Sequence, residues 1–305
     1  MEELTIDANS LKKTYGRHAA VQDLTLHVRR GEAFGFLGPN GAGKSTSIKM
    51  LLGLVRPSGG HGLLLGHPLG SREVRARIGF LPEHFRFYDW LSAAELVTFH
   101  GRLCGLAESH LRRRVPQLLE RVGLGAQASK QIRTFSKGMM QRVGLAQAIV
   151  NDPEILFLDE PSSGLDPAGR KLVRDIIREQ RDRGATVFLN SHLLGEVEKS
   201  CDRVAFIRSG EVIEEYEMNA WQNGSLEVEI RVRHLSPEAM TWLAGNTEDV
   251  RVEGDRVQVR VASEHHLPAM VRCLVECGAE VFSVTPQRVS LEDLFLQTMG
   301  PDPGL

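Results

Sequence analysis

Up to about residue 216, the chain alternates short apolar runs with amphipathic segments. Runs such as EAFGFLG, ARIGFLP, ILFLD and ATVFLN have the length of strands, and segments of helical period lie between them. This alternation is typical of an α/β domain with a mainly parallel core sheet. ILFLD and TVFLN predict strands buried on both faces. The opening segments LTIDANSLKKTYG and AVQDLTLHVRRGE instead predict antiparallel strands.

The pattern changes at NAWQNGS, a polar, glycine-containing stretch at residues 219–225. Beyond it, LEVEIRVRH and AEVFSVTP predict strands, SPEAMTWLAG and SEHHLPAMVRCLVECG predict helices, and VRVEGDRVQVRV predicts a hairpin. The order β-α-β-β-α-β is that of a ferredoxin-like unit, and a final helix follows in SLEDLFLQTMG. We therefore predict an α/β domain over residues 1–220 and a small α+β domain over residues 225–305.

Composition and charge are those of an ordinary globular protein. The chain has 305 residues, of which 42% are hydrophobic and 25% charged, and a formal net charge of −2. This charge gives no reason to expect nucleic-acid binding, which usually requires a basic surface. Four scattered cysteines predict a reducing compartment. We find neither a signal-peptide pattern nor an apolar run approaching the ~20 residues that cross a bilayer.

The stretch GPNGAGKST fits the phosphate-binding pattern G-x-x-x-x-G-K-[ST] and lies between a predicted strand and a helix that starts near Lys44. Its glycines let the backbone curl so that successive N–H groups point at phosphate oxygens. The helix N-terminus adds a partial positive charge. We expect Lys44 to reach the terminal phosphates and Ser45 to bind Mg²⁺. The predicted phosphate-binding residues are Gly38, Pro39, Asn40, Gly41, Ala42, Gly43, Lys44, Ser45 and Thr46.

A second candidate element is ILFLDEP, in which a buried strand ends in two acidic residues. Ligands of open α/β sheets bind at the carboxyl ends of the strands. Asp159 there can hold Mg²⁺ through water, and Glu160 can polarise an attacking water. Two adjacent acids alone are better explained by a solvated strand end. Together with the phosphate-binding loop, they predict a hydrolytic nucleotide site.

These two motifs flank FSKGMMQRVGLAQAI, and over roughly residues 4–216 the chain resembles the ATP-binding subunits of ABC transporters. Tyr15 matches the family's adenine-stacking aromatic, and His192 its switch histidine. IGFLPE falls at the Q-loop, and SSGLDP, with Asp166, at the D-loop. The resemblance implies a P-loop ABC-type ATPase domain with an antiparallel β subdomain and a helical subdomain.

In this family two nucleotide domains stack head to tail, and each ATP lies between the phosphate loop of one and the signature segment of the other. By resemblance, Ser136, Lys137 and Gly138 would contact the nucleotide of a neighbouring subunit. A simple N-cap on a core helix uses the same backbone N–H groups, so the two roles are compatible. The neighbour would be a second copy of this chain or a paired ATPase subunit.

Two positions depart from the family pattern. Lys137 stands where the signature usually has glycine, and its side chain either brings charge toward the phosphate or points to solvent. Glu83 replaces the Q-loop glutamine. Its carboxylate either joins Ser45 and Asp159 around Mg²⁺ or points away from the metal.

The resemblance implies an ATPase that uses ATP and Mg²⁺, with Glu160 as general base and His192 and Lys44 as further catalytic residues. It also implies an exporter subunit of the ABC-2 type, held at the cytoplasmic face of the cell membrane by transmembrane permease subunits. The aromatic-rich segment EHFRFYDWLSAAELVTFHGRLCGL would dock the permease. The C-terminal domain is expected to serve dimerisation or regulation, and small-ligand sensing is the alternative.

Two other functions are less consistent with the sequence. A soluble ABC ATPase acting on ribosomes or nucleic acid would carry two phosphate loops or long coiled coils, whereas this chain has a single loop and no heptad run or basic patch. An ATP-gated scaffold with negligible turnover is disfavoured by the intact Lys44, Asp159, Glu160 and His192. The transported substrate cannot be read from this chain, because such specificity resides in the permease.

Overall fold

The protein forms two compact units in the computed structural model. Residues 1–216 and 295–305 make up the first unit, and residues 217–294 the second. The sequence assigned residues 295–305 to the C-terminal domain, whereas they are grouped here with the first unit. The predicted break at residues 219–225 lies outside the described residues. The structure describes residues 3–84, 86–218, 226–287 and 290–300.

The first unit contains a mixed sheet. Its strands are β1 (Leu4–Tyr15), β2 (His18–Arg29), β3 (Ala33–Leu37), β4 (Gly59–Leu64), β5 (His67–Pro68), β6 (Ile78–Leu81), β7 (Ile155–Asp159), β8 (Thr186–Asn190), β9 (Arg203–Arg208) and β10 (Glu211–Glu217). Within the described residues the strand order is β5-β4-β1-β2-β10-β9-β3-β8-β7-β6. Strand β1 pairs antiparallel with β2 and β4, and β3, β6, β7, β8 and β9 form a parallel group. Both predicted strand arrangements are confirmed.

Helices connect these strands. They are α1 (Lys44–Leu51), α2 (Arg72–Arg75), α3 (Ala93–Leu103), α4 (Glu108–Arg121), α5 (Lys137–Ala148), α6 (Pro167–Asp182) and α7 (Leu194–Glu198). Helix α3 starts with a capping box between Ser92 and Glu95, which satisfies free N–H groups at its first turn. Helices α3, α4 and α5 pack on one another as the helical subdomain implied by the resemblance.

The parallel strands form the apolar centre of the first unit. Every residue of β3, β7 and β8 is buried, as expected for strands covered on both faces. Phe188 lies 5.7, 5.2 and 5.3 Å from the ring centres of Phe34, Phe36 and Phe157. Strand β7 lies between β6 and β8, and the ends of β7 and β8 pair Asp159 with Asn190. The buried core thereby holds the polar strand ends rigidly at one edge.

The second unit contains a four-stranded sheet within its described residues. Its elements are β11 (Leu226–Arg233), α8 (Pro237–Asn246), β12 (Asp249–Glu253), β13 (Arg256–Val261), α9 (Leu267–Glu276) and β14 (Glu280–Gln287). The strand order is β12-β13-β11-β14, with antiparallel pairing throughout. This is the β-α-β-β-α-β arrangement that the sequence pattern predicts. A 3₁₀ turn, Glu264–His266, precedes α9.

The last helix, α10 (Leu291–Met299), begins with Ser290, whose hydroxyl accepts a hydrogen bond from the Asp293 amide. Phe295 is almost completely buried and meets Phe206 of the first unit edge-on, with 5.5 Å between the ring centres. The end of α10 therefore belongs to the core of the first unit. No helix in the described part of the chain combines the length and apolar character needed to cross a bilayer.

Candidate functional site

The loop between β3 and α1 is shaped by its glycines. Gly41 and Gly43 have φ values of +79° and +95°, a region that L-residues with side chains rarely adopt. A Cβ on Gly38 would lie 2.3 Å from the carbonyl oxygen of Ile207, and one on Gly43 would lie 2.5 Å from that of Ala20. The loop is thus closely packed against neighbouring backbone, and its curled form requires glycine at these positions.

Lys44 begins α1 and folds its side chain back over this loop. Its Nζ donates hydrogen bonds to the carbonyls of Gly38 and Pro39, at 2.5 and 2.9 Å. Burial lowers the pKa of this amine, and the nearby carboxylates, Glu160 first among them, oppose the shift. The side chain is therefore positioned at the loop, next to acidic groups that favour its charged form.

Asp159 and Glu160 occupy the end of β7, beside the end of β8. The Asn190 side chain donates a 2.6 Å hydrogen bond to the Asp159 carboxylate, and the Glu160 amide donates to the Asn190 carbonyl at 2.8 Å. Burial raises the pKa of Asp159, and the negative charge of Glu83 adds to that rise, whereas the Asn190 hydrogen bond opposes it. Asn190 thereby holds both acidic residues in place.

The Glu160 carboxylate is held by His192, which follows the last residue of β8 by two positions. The His192 amide donates to Oε1 of Glu160 at 2.9 Å, and Nδ1 of His192 lies 2.6 Å from Oε2. Burial raises the pKa of Glu160, and the positive charge of a protonated His192 opposes this shift. Glu160 also has a φ of +53°, which is strained for a residue with a side chain. A carboxylate so oriented at a strand end can act as a general base.

These elements line one cleft of about 720 Å³. The lining residues are His18, Ala20, Gly38, Asn40, Gly41, Ala42, Gly43, Lys44, Ser45, Thr46, Glu83, Glu160, Asn190 and His192. The structure therefore gathers nearly the whole predicted loop with Glu83, Glu160 and His192. Pro39 lies outside this lining, although its carbonyl binds Lys44, and Asp159 adjoins the lining through Asn190.

Tyr15 lies at the end of β1, opposite His18 in the β1–β2 hairpin. Its side chain is 49% exposed, and the Lys13 amine lies 4.9 Å from the ring centre. His18 and Ala20, from the same hairpin, line the cleft, whereas Tyr15 does not. The Tyr15 ring is therefore exposed outside the cleft lining, with the Lys13 amine over one face.

Glu83 follows β6, the neighbour of β7, and its side chain is 45% exposed in the wall of the cleft. The carboxylate is close enough to bear on the pKa of both Asp159 and Lys44. Hydroxyl and carboxylate oxygens are the ligand types that Mg²⁺ prefers; Ser45 and Glu83 line this cleft, and Asp159 adjoins it through Asn190. The buried Oδ1 of Asn190 has no hydrogen-bond partner among the described residues, which also fits a polar ligand here.

A second cleft, of about 400 Å³, lies at the start of α5 and shares no lining residue with the first. Its walls include Ser136, Gly138 and Asp166. The Ser136 hydroxyl accepts a hydrogen bond from the Met139 amide, and Asp166 accepts one from the Gly169 amide as the N-cap of α6. Two helix N-termini are thus capped at this cleft.

The Lys137 side chain is exposed and lies over Gly164 in the wall of this cleft. A Cβ on Gly164 would lie 2.9 Å from Cε and 3.0 Å from Nζ of Lys137, so this side chain crosses directly over Gly164. Gly164 has a φ of +71°. The lysine therefore packs on the loop between β7 and α6 within its own chain.

Sequence reasoning missed His18, Ala20 and Asn190 in the first cleft. His18 and Ala20 follow the predicted aromatic by only a few residues, but the folding of the β1–β2 hairpin decides which of them face the cleft. Asn190 carried a usable signal, because it is a polar residue that ends a buried strand, as Asp159 does.

Comparisons with known proteins agree with this geometry. The family model described as ABC transporter matches residues 21–163. An uncharacterized ABC transporter ATP-binding protein of Synechocystis sp. is 41% identical over 283 residues, which is 92% of this chain and 78% of that protein. The linearmycin resistance ATP-binding protein of Bacillus subtilis is 32% identical, covering 97% of this chain and 98% of the relative. The Nod factor export ATP-binding protein I of Cupriavidus metallidurans is 34% identical, covering 97% of each chain.

Solved structures give the same picture for most of the chain. An ATP-binding subunit of an ABC transporter superimposes with a TM-score of 0.67 at 31% identity, over 72% of this chain and 92% of that one. A dimeric ATP-binding cassette bound to ADP and Pi shares the fold, with a TM-score of 0.65 at 24% identity over 70% of this chain and 98% of that one. The chain therefore belongs to the ABC transporter ATP-binding proteins, and it is an ATPase.

Proposed function

We propose that this ATPase drives export through separate transmembrane permease subunits, and that it does so as a dimer closed by ATP. The observation that carries the proposal is the presence of two separate clefts in one chain. The first holds the phosphate loop and the Glu160–His192 pair, and the second holds the capped start of α5. Two copies arranged head to tail would bring each first cleft against the second cleft of the other copy.

In this proposal the predicted residues in and beside the first cleft have defined roles. The loop N–H groups and Lys44 bind the phosphates, and Tyr15 stacks on the adenine. Ser45 and Asp159 hold Mg²⁺, with Glu83 as a further ligand; the ion supplies charge stabilisation at the phosphates. Glu160 accepts the proton of the attacking water, and His192 keeps the Glu160 carboxylate oriented.

The second cleft would act on the nucleotide bound by the partner copy. The free N–H groups at the start of α5, next to Ser136 and Gly138, favour an anionic phosphate. Lys137 places a positive charge beside them on the loop that leads to Asp166. Each site would therefore be complete only when two subunits meet.

Export and a membrane partner are supported by the whole-length relatives whose names refer to linearmycin resistance and Nod factor export. An aromatic cluster fits a docking surface for the permease, because exposed aromatic clusters mark interfaces. Tyr88 and Trp90 are 48% and 63% exposed with ring centres 5.1 Å apart, and Phe99 lies edge-on to Tyr88. Phe85, also predicted for this surface, lies outside the described residues. The protein would then work at the cytoplasmic face of the membrane, and the second unit would serve dimerisation or regulation.

The proposal is tested by the solution mass of the Glu160→Gln variant, measured by light scattering with and without Mg·ATP. This substitution should trap bound ATP, so we expect the mass to double when Mg·ATP is added. A dimer mass already present without ATP would assign dimerisation to the second unit and contradict closure by ATP alone. Adding Ser136→Arg should abolish the doubling but leave nucleotide binding by the monomer intact. A Glu160→Gln variant that binds ATP and stays monomeric would contradict the ATP-closed dimer.

Docking is tested separately by co-expression with a candidate permease, a membrane protein whose sequence predicts several bilayer-spanning helices. Trp90→Glu should reduce co-purification with that protein and leave the ATPase activity of the isolated subunit unchanged. Equal co-purification of this variant and the parent chain would contradict the assignment of this surface.

A further inference from the structure

Helix α5 reaches from the second cleft to the backbone of Glu160. The buried side chain of Gln141, which is 2% exposed, donates hydrogen bonds from Nε2 to the carbonyls of Glu160 and Pro161. The two distances are 3.3 and 2.9 Å. The Gln141 amide therefore binds two consecutive carbonyls of the turn after β7. The same turn carries the Glu160 carboxylate, which faces the first cleft.

This turn needs outside support, because its backbone is strained. Glu160 combines a φ of +53° with a following proline, and a proline further restricts the residue before it. Its amide donates to the carbonyl of Asn190, and its carbonyl accepts from the Ser163 amide as well as from Gln141. Among the hydrogen bonds described for this turn, those from Gln141 connect it to α5, the helix whose start lines the second cleft.

The two ends of this connection lie on one rigid element. Ser136 caps α5 at the second cleft, and Gln141 follows it by five positions, a rise of roughly 7 to 8 Å along the helix. A displacement of the helix start is therefore transmitted to the amide of Gln141 with little loss. Glu160 is thus held from both sides, by His192 at its carboxylate oxygens and by Gln141 at its backbone carbonyl.

We propose that Gln141 is a positioning residue for ATP hydrolysis, which sets the backbone of Glu160 according to the position of the start of α5. The inference rests on the proposed function, in which Glu160 is the general base and a partner's nucleotide meets the start of α5. It adds that phosphate binding at the second cleft aligns the base of the first cleft in the same chain. The two sites of a dimer are then coupled through one buried side chain.

The test replaces Gln141 with methionine, which has a similar volume but no amide group. Gln147→Met is the matched control, because Gln147 lies on the same helix and is only partly buried. We expect Gln141→Met to lower kcat by about 10- to 100-fold, the range seen when a reacting group is displaced by a fraction of an ångström to an ångström. KM and the affinity for a fluorescent ATP analogue should stay within about twofold, as for loss of an effect confined to the transition state.

A second variant covers the case in which methionine unfolds the chain, which thermal melting will reveal. Gln141→Asn keeps the amide donor but shortens its reach, so its kcat should lie between those of the parent chain and Gln141→Met. A kcat of either folded variant equal to that of Gln147→Met would overturn the inference. So would a loss that appears in KM and in ATP affinity instead of in kcat.

The Glu160→Gln background separates this inference from the function on which it rests. Glu160→Gln with Gln141→Met should still double in mass with Mg·ATP, because Gln141 acts on the base and not on closure. Loss of the ATP-dependent dimer in the double variant alone would assign Gln141 to packing of the second cleft and overturn the inference. Full turnover by Glu160→Gln itself would instead refute the assignment of the general base.

Discussion

The sharpest prediction for the phosphate loop compares alanine at two of its glycines. Gly41 and Gly43 both have positive φ, at +79° and +95°, so alanine at either position is strained by its own backbone. Their surroundings differ. A Cβ on Gly41 would have no heavy atom within 4 Å, whereas one on Gly43 would lie 2.5 Å from the Ala20 carbonyl oxygen and 3.3 Å from Val21 Cγ2.

The expected losses in the free energy of unfolding follow from the backbone strain and from the crowding of the added Cβ. A left-handed backbone costs a residue with a Cβ about 1–2 kcal/mol, and forcing extra volume into a packed site typically costs about 1–3 kcal/mol more. We therefore expect Gly41→Ala to lower the free energy of unfolding by about 1–2 kcal/mol. Gly43→Ala should lower it by about 2–5 kcal/mol, because the backbone carbonyl of Ala20 cannot move aside as a flexible side chain could.

The assay is chemical unfolding of the nucleotide-free chain in urea, followed by circular dichroism, with both variants and the parent chain under identical conditions. The difference between the two variants is the informative quantity, because the backbone term is common to both. Equal destabilisation would refute the reasoning that contact with the β1–β2 hairpin demands glycine at position 43. A neutral Gly41→Ala would refute the strain assigned to its positive φ.

Three other changes have definite expected outcomes. His192→Ala removes the group that opposes the burial-induced rise in the pKa of Glu160, so the acid limb of the pH–activity profile should move to higher pH; a limb that stays in place or moves to lower pH would contradict this pairing. Gly164→Ala should lower the free energy of unfolding by about 1–2 kcal/mol in urea, because its φ of +71° strains a residue with a Cβ, whereas the flexible Lys137 side chain over it can move aside; an unchanged free energy of unfolding would contradict this strain. Arg203→Met should destabilise the first unit by about 3–5 kcal/mol in urea unfolding, because it leaves the buried carboxylate of Glu32 without the guanidinium that pairs with it. A loss of stability under ~1 kcal/mol would contradict this.

The residues that line the first cleft were largely readable from the sequence. Residues 38–46 are contiguous, and their glycines, Lys44 and Ser45 act through local backbone geometry, which a short segment determines. Asp159 and Glu160 were identifiable for a similar reason, because a buried apolar strand that ends in acids places them at the ligand-binding edge of a parallel sheet. The alternation of apolar runs also predicted the antiparallel and parallel strand groups now seen.

Other features depend on which elements become neighbours. Asn190 supports Asp159 because β8 lies beside β7, and a strand order is not encoded in either strand alone. The hydrogen bonds from Gln141 likewise join residues about twenty positions apart, after a helix has packed beside a strand end.

The course of Lys137 and the place of Phe295 were also decided by tertiary packing. The lysine lies on Gly164 because a loop with positive φ passes close to the start of α5. The aromatic ring near the C-terminus joins the core of the first unit, although its segment follows the second unit in sequence. Local patterns thus determined the elements and the residues that can bind phosphate. Long-range burial, which depends on the whole chain, decided which distant side chains hold those residues in place.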